Sequence, residues 1–461
     1  MMAATALAGS ALGQTPQPQT TKVRVESGVL AGSVESGANV FKAIPFAVAP
    51  VGALRWKPPQ QPAAWRSERA ATQFALPCSQ PVEGDKPNGG GVSGASGEDC
   101  LYLNVWAPPN AKGAPVMLWL YGGAGFLGGA HLGAYNGSSF ARDGVILVTA
   151  NYRLGALGNF AHPALDKAAA PGEPLGSYAL MDAVAALQWV QRNIAAFGGD
   201  PKNVTLFGQS AGGAMVTNLL SIPSAKGLFA KAIVHSGANL RPAPTLAEAE
   251  AAGVKIGDAL GVPAAEATPE RLRALPASAF IANKDTQRGT GAPIDGRFRT
   301  TSTIDALKAH KEIDVPLIVG SNSGEPGADS AKELASLASG GAPSFLYRFS
   351  YVPAWRTAEQ PNGAPHSAEI PYAFASLSTA ATGGGSHVTD HDRQVAEQMH
   401  SCWVAFAKAK SVGGGIRCAN NFTWPAYTQA GDKAAVFGET PSVATAASLP
   451  KFAPRAPAAS H

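Results

Sequence analysis

The residues with the clearest chemical potential lie in the run Phe207-Gly208-Gln209-Ser210-Ala211-Gly212-Gly213. A G-x-S-x-G pattern alone is weak, since chance supplies about 0.4 matches in a glycine-rich chain of this length. Its setting makes it stronger: the apolar run V-T-L-F (204–207) leads in, and A-G-G-A-M-V-T-N-L-L leads out with helical character. Glycines on both sides permit a sharp strand-to-helix turn that lifts the Ser210 hydroxyl above a sheet edge. The Ala211 N–H, at the start of the helix, would then face a developing oxyanion. A serine nucleophile needs a base, and the base needs an orienting carboxylate. In a strand-turn-helix setting of this kind the expected chain order is serine, acid, histidine.

Five of the nine histidines follow the apolar strand-like runs: His366, His387, His391, His400 and His461. His366, in N-G-A-P-H-S-A-E just beyond F-L-Y-R-F-S, has the best position for the base. The acid should follow P-L-I-V-G (316–320), where S-N-S-G-E-P-G puts Glu325 in a turn, with Asp329 as its rival. After V-M-L-W-L-Y (116–121), the glycine run Gly122-Gly123-Ala124-Gly125-Phe126 can turn N–H groups inward, and Gly123 and Ala124 are the expected donors beside Ala211. Phe126 and Leu127 are candidate pocket walls. A dinucleotide site is the competing reading of this loop, but the G-x-G-x-x-G spacing followed by a helix is missing. H-x-x-x-H-D at 387–392 does not have the spacing of a metal site, and helix capping accounts for its acids. No metal or cofactor is expected.

The elements that must hold these residues show the same order. V-M-L-W-L-Y, V-I-L-V-T (145–149), V-T-L-F, A-I-V-H (232–235) and P-L-I-V-G are continuous apolar runs, each ending in glycine or a polar turn. Between them, residues 178–197 carry Leu180, Val184, Leu187 and Ile194 at helical spacing. This alternation predicts an α/β fold with a mostly parallel sheet covered on both faces. Two strands are expected around Ser27-Gly28, Ala-rich helices over 248–277, a strand over 344–352, and a helix over 389–408 capped by Thr389 with Asp392. The division expected is a leader and linker over 1–21, one catalytic domain over 22–441, and a mobile Pro/Ala-rich tail over 442–461.

The chain has 461 residues, 45% hydrophobic and 15% charged, which excludes disorder as its main state. Its net charge of +4 is spread along the chain without a basic block, so nucleic acid is not an expected partner. The longest uncharged apolar run, 114–130, falls short of a bilayer span and is broken by five glycines. The opening M-M-A-A-T-A-L-A-G-S-A-L-G-Q resembles the hydrophobic and cleavage portions of a signal peptide without its charged start. For the four cysteines, two local pairs, Cys78–Cys100 and Cys402–Cys418, are the simplest of three connectivities and fit a secreted or periplasmic protein. The competing reading is four buried thiols in a cytosolic protein.

Longer motifs carry a resemblance. F-K-A-I-P-F-A with L-R-W-K-P-P (41–47, 54–59), G-E-D-C-L-Y-L-N-V-W (97–106), N-Y-R-L-G-A-L-G (151–158), W-V-Q-R-N-I-A-A-F-G-G-D-P (189–201), the G-Q-S-A-G-G turn and G-A-P-H-S-A-E-I-P-Y-A-F (363–374) are similar to the type-B carboxylesterases among the α/β-hydrolases. The resemblance runs from about Val23 to Tyr427. It implies ester hydrolysis of a small-molecule substrate by Ser210, Glu325 and His366, with Ser236 supporting the acid–histidine pair and Glu369 a structural acid. It also implies a Cys78–Cys100 disulfide.

This sequence departs from the family pattern at four places. Gln209 replaces the usual glutamate, which removes a charge beside the nucleophile, weakens attraction for cationic alcohols and tolerates acidic substrates better. Gly125 stands where an aromatic usually begins the acyl wall. The acid's turn reads Gly324-Glu325-Pro326 instead of D-E-G. Glu325 and His366 are only 41 residues apart; the family's segment is several dozen residues longer and walls the gorge. A shortened cap and an open site follow, suited to bulky or anionic esters such as aryl esters, polyester fragments or tricarballylate-type toxins. The alternatives are hydrolysis of amides or carbamates, or a catalytically weak member acting as a binding module.

Overall fold

A computed structural model describes residues 20–380 and 385–452. Fifteen strands occur in it. The first group is β1 (Thr20–Val25), β2 (Gly28–Glu35), β3 (Ala38–Pro45), β4 (Arg69–Ala70) and β5 (Tyr102–Ala107). Next come β6 (Ala114–Leu120), β7 (Ile146–Ala150), β8 (Gly199–Gln209), β9 (Lys231–His235), β10 (Leu317–Asn322) and β11 (Ser344–Phe349). The last are β12 (Gly415–Arg417), β13 (Thr423–Pro425), β14 (Lys433–Phe437) and β15 (Ser442–Thr445). Apart from β12 and β13, which form a separate hairpin, all join one sheet in the order β1-β2-β3-β5-β7-β6-β8-β9-β10-β11-β14-β15, with β4 beside β2. From β7 to β14 the pairing is parallel, and antiparallel strands finish both edges. Helices such as Tyr178–Asn193 and Asp390–Lys408 bury apolar faces against it. This is the α/β architecture that the alternating sequence pattern predicts, and it has the α/β-hydrolase form that the resemblance implies.

The central strands are continuous apolar runs because both of their faces are covered; every residue of β7, β9, β10 and β11 is buried. Strand order reverses at β6, with β7 on one side and β8 on the other. In open parallel sheets such a switch point leaves a crevice beyond the carboxyl ends of the strands. The register brings the strand ends together there: Leu120 pairs with Gly208, Gln209 with His235, and His235 with Gly320. The loops that begin at residues 121, 210, 236 and 323 therefore start side by side. Beneath them Trp119 packs on Phe207 at 4.7 Å and on Phe374 at 4.9 Å between ring centroids. Phe374 lies eight residues past His366, so this cluster ties the histidine segment to the floor of the crevice.

Both expected local disulfides, Cys78–Cys100 and Cys402–Cys418, are formed. The expected helix over 389–408 starts with a reciprocal capping box between Thr389 and Asp392. The tail expectation needs correction. Ser442–Thr445 is strand β15, antiparallel to β14, and Asp432 receives the N–H groups of Ala446 (2.7 Å) and Ala447 (2.8 Å). The Ala and Pro content hid this, because S-V-A-T needs only four residues and a ready sheet edge to pair. Residues 453–461 lie outside the described residues, as does the leader up to residue 19; Thr20 and Thr21 open β1. No described helix is long and apolar enough to cross a membrane.

Candidate active site

Ser210 sits between β8 and the helix Ala211–Leu219, with φ 55° and ψ −120°. That conformation is unfavourable for a residue with a Cβ and costs on the order of 1–3 kcal/mol. The surrounding packing enforces it. Ser210 N–H donates to the His235 carbonyl (2.9 Å), and its own carbonyl accepts from Ala214 N–H (2.8 Å). Gly208 and Gly212 approach so closely that a Cβ on Gly208 would lie 2.6 Å from the Gly212 carbonyl carbon. The glycines flanking the serine are thus required by backbone contact across the turn.

The loop after β6 crosses beside this turn. A Cβ on Gly122 would sit 3.0 Å from Ser210 Cβ and 2.6 Å from Gln209 Oε1. Gly123, Ala124 and Gly125 all have positive φ (112°, 54° and 78°), which reverses the chain and redirects successive N–H groups. Gln80 holds the far end of the loop: its Oε1 accepts from Gly128 N–H (2.8 Å) and its Nε2 donates to the Gly128 carbonyl (2.7 Å). Gly155 N–H anchors the Gly125 carbonyl (2.7 Å) from the other side. Ala124 is exposed and Phe126 and Leu127 are half-buried, so the loop opens to solvent.

Glu325 is buried, at 5% exposure, and its carboxylate is fully engaged. Oε1 accepts from Ser236 Oγ (2.5 Å) and from Asn322 N–H (2.7 Å), and Oε2 meets His366 Nδ1. The histidine segment is joined to the acid's turn by three further bonds. Gly324 N–H donates to Ala364 O (2.7 Å), Ala364 N–H to Ser323 Oγ (2.9 Å), and Asn322 Nδ2 to Pro365 O (2.8 Å). A Cβ on Gly324 would lie 2.7 Å from Gly363 O, which explains glycine ahead of the acid. The Glu325 hydrogen bond raises the His366 pKa above its ordinary 6.5, against partial burial. On the other ring nitrogen, Gln209 Nε2 donates to His366 Nε2 at 3.2 Å. With Nδ1–H directed at Glu325, Nε2 is the acceptor face of the ring, and its partner Gln209 is the residue immediately before Ser210. The imidazole side chain is 46% exposed.

Behind the acid lies a second buried layer. Glu369 Oε2 accepts from Asn322 Nδ2 (2.5 Å), and its Oε1 faces His235 Nδ1 at 3.4 Å. Burial works to raise the Glu369 carboxyl, but the His235 imidazole and the Asn322 amide hold it below the ordinary carboxylate range. Trp403 Nε1–H donates to His235 Nε2 (2.9 Å). Indole nitrogen can only donate, so the neutral ring's proton sits on Nδ1, facing Glu369.

All the residues singled out from the sequence for the site are at the carboxyl end of the sheet. The rejected ones are elsewhere: Asp329 is exposed near Lys451, His391 pairs with Glu439, and His400 contacts Ala373 O through Nδ1 and faces Asp143 with Nε2. Sequence reasoning missed Asn322, His235 and Gln80. Asn322 could have been suspected from its place at a strand end three residues before the acid; a buried glutamine two residues past a cysteine offers no such signal.

The carboxylesterase family model matches residues 19–335 and 327–451. The chain belongs to the carboxylesterase family. It is 34% identical to the fumonisin B1 esterase of Sphingopyxis macrogoltabida, covering 94% of this chain and 88% of that one. It is 31% identical to the para-nitrobenzyl esterase of Bacillus subtilis (strain 168), covering 88% and 92%. A thermophilic PNB esterase structure superposes with a TM-score of 0.79 at 29% identity, over 92% of this chain and 97% of that one. As a family member this carboxylesterase is a carboxylic ester hydrolase, and a small-molecule ester is its class of substrate.

Proposed function

We propose that the hydrolysis runs through a Ser210–His366–Glu325 triad and an acyl-enzyme. The observation that carries the reading is the orientation of His366: Nδ1 is held by a buried, triply engaged Glu325, while Nε2 faces the strained turn of Ser210. As Ser210 Oγ attacks the ester carbonyl, His366 Nε2 takes its proton, and the Gln209 amide yields that nitrogen. The tetrahedral oxyanion is received by the N–H groups of Gly123, Ala124 and Ala211; each such donor is worth about 2.7–4 kcal/mol in the transition state. His366 then protonates the leaving alcohol, and water repeats the sequence on the acyl-enzyme. Ser236 and Glu369 hold the acid and the histidine segment in place, and neither metal nor cofactor has a role.

Hydrolysis would occur in one catalytic domain that begins near residue 22 and includes β15. Two disulfides support a secreted or periplasmic setting. The test is release of p-nitrophenol from acetate, butyrate and octanoate esters by wild type beside Ser210→Ala, with fumonisin B1 added as a bulky ester because a relative is named for it. Turnover that falls by on the order of 10⁶ in the variant supports the reading. Turnover that survives, or a folded wild type without any, refutes it.

A further inference from the structure

Arg288 lies on the segment that follows the helix Ala277–Ala282. Its guanidinium carbon sits 4.4 Å from the centroid of the Phe126 ring, two residues past Ala124. The segment is anchored through the backbone. Ala156 N–H donates to Gln287 O (3.2 Å), Thr290 N–H donates to Asn159 O (2.9 Å), and Gly155, whose N–H holds Gly125, has no room for a Cβ against Gln287 O. The chain 155–159 is itself fixed by Arg153, bound through Nε (2.8 Å) and Nη2 (2.7 Å) to the buried Asp182. Arg288 is therefore a positioned cation at the edge of the oxyanion loop. It is exposed, and among the described residues no carboxylate pairs with it.

Sheet order determines which part of a substrate this cation meets. The alcohol must leave on the side of His366, which protonates it, and His366 is held by the loop after β10. The acyl chain then extends the opposite way from Ser210, across the loop after β6 toward the β7 side, where Phe126 and Arg288 lie. A cation over an aromatic face keeps its edge N–H groups free for a planar anion. The residue beside the nucleophile is the neutral Gln209, so an anionic acyl group meets no fixed negative charge there.

We propose that Arg288 reads a free carboxylate at the far end of the acyl chain, making half-esters of di- and tricarboxylic acids the preferred substrates. This rests on the Ser210 reading above. The probe is a matched pair: the mono-p-nitrophenyl ester of adipic acid and the same molecule with its free carboxyl capped as a methyl ester. Wild type should show kcat/KM about tenfold higher for the acid than for the capped ester, as one charge-assisted contact implies. The preference should shrink between 0.05 and 0.5 M salt, roughly two- to threefold, as expected for an exposed pair. Arg288→Gln should bring the ratio to about one, chiefly through KM, and Arg288→Glu should invert it. Equal kcat/KM for the two esters in wild type, or a ratio unmoved by Arg288→Gln, overturns the proposal while leaving the triad intact. Absence of turnover on both esters by folded wild type overturns the triad reading and this proposal with it.

Discussion

The two sides of His366 are built in opposite ways. Behind it, hydrogen bonds join Glu325, Ser236, Asn322 and Glu369, and Glu369 faces His235 at 3.4 Å, which Trp403 on the helix Asp390–Lys408 holds from its other side. In front, Ala124 is exposed, Phe126 is half-buried, Arg288 has no acidic partner among the described residues, and the imidazole itself is nearly half exposed. The rear layer fixes geometry, because in a buried network each unsatisfied group is costly. The front is free to change and so is where substrate choice can lie. Only 41 residues separate Glu325 from His366, and they contain the helix Ala328–Ala338 and β11 before the chain turns back to the acid. The rear can thus be complete while little material is left to roof the front.

Substitutions behind the histidine or beside its Nε2 should lower rate or stability, and those at the exposed front, at Phe126 and Arg288, should change selectivity alone. The largest effect is expected from Glu325→Gln, which loses the charge that orients the imidazole and stabilises its protonated form; kcat should fall by on the order of 10⁴. His366 is active as a base only when neutral, and Glu325 raises its pKa, so the wild-type acid limb of kcat/KM should lie above pH 6.5. In the variant the residual activity should have a limb at lower pH. An unmoved limb in a pH–rate profile would argue against the pair.

Glu369→Ala should come next. It strands the Asn322 amide and His235 in the interior, costing about 3 kcal/mol in denaturant unfolding, and loosens Pro365 beside His366. A loss of rate without loss of stability would contradict its place in the rear layer. Gln209→Glu sets a carboxylate beside Nε2, which favours the imidazolium; the acid limb should move up by about one pH unit, and activity at pH 6 should fall accordingly. The smallest effect is expected at the front. Phe126→Leu should leave stability within about 0.5 kcal/mol while altering the ranking of acetate, butyrate and octanoate esters. A large drop in melting temperature would mean that Phe126 belongs to the core.

The difference between rear and front also explains what could be read from the sequence. Ser210, Glu325 and His366 were legible because each follows a continuous apolar strand in the expected order, and turn glycines mark the first two. The central strands were legible for the same reason. β14 and the edge strand β15 were not, because short runs of small residues carry little apolar signal. Asn322 and His235 act through register: a shift of one residue in β9 or β10 would carry each to the other face; Gln80 acts from a loop, through its bonds to Gly128. Arg288 was illegible for a related reason, since nothing in Q-R-G-T announces that the segment folds back on Gly155. Gln209 was read as a missing charge; the structure adds its contact with His366 Nε2, visible only once the elbow and the histidine loop meet.

The proposed chemistry turns on Ser210 carrying the acyl group. Incubating the folded enzyme with a fluorophosphonate ester, followed by intact-mass and peptide analysis, tests it most directly. One adduct per chain is expected, on the peptide containing Ser210, with p-nitrophenyl acetate turnover lost in proportion and no labelling of Ser210→Ala. An adduct on another residue, or turnover that persists after Ser210 is fully labelled, would contradict the account.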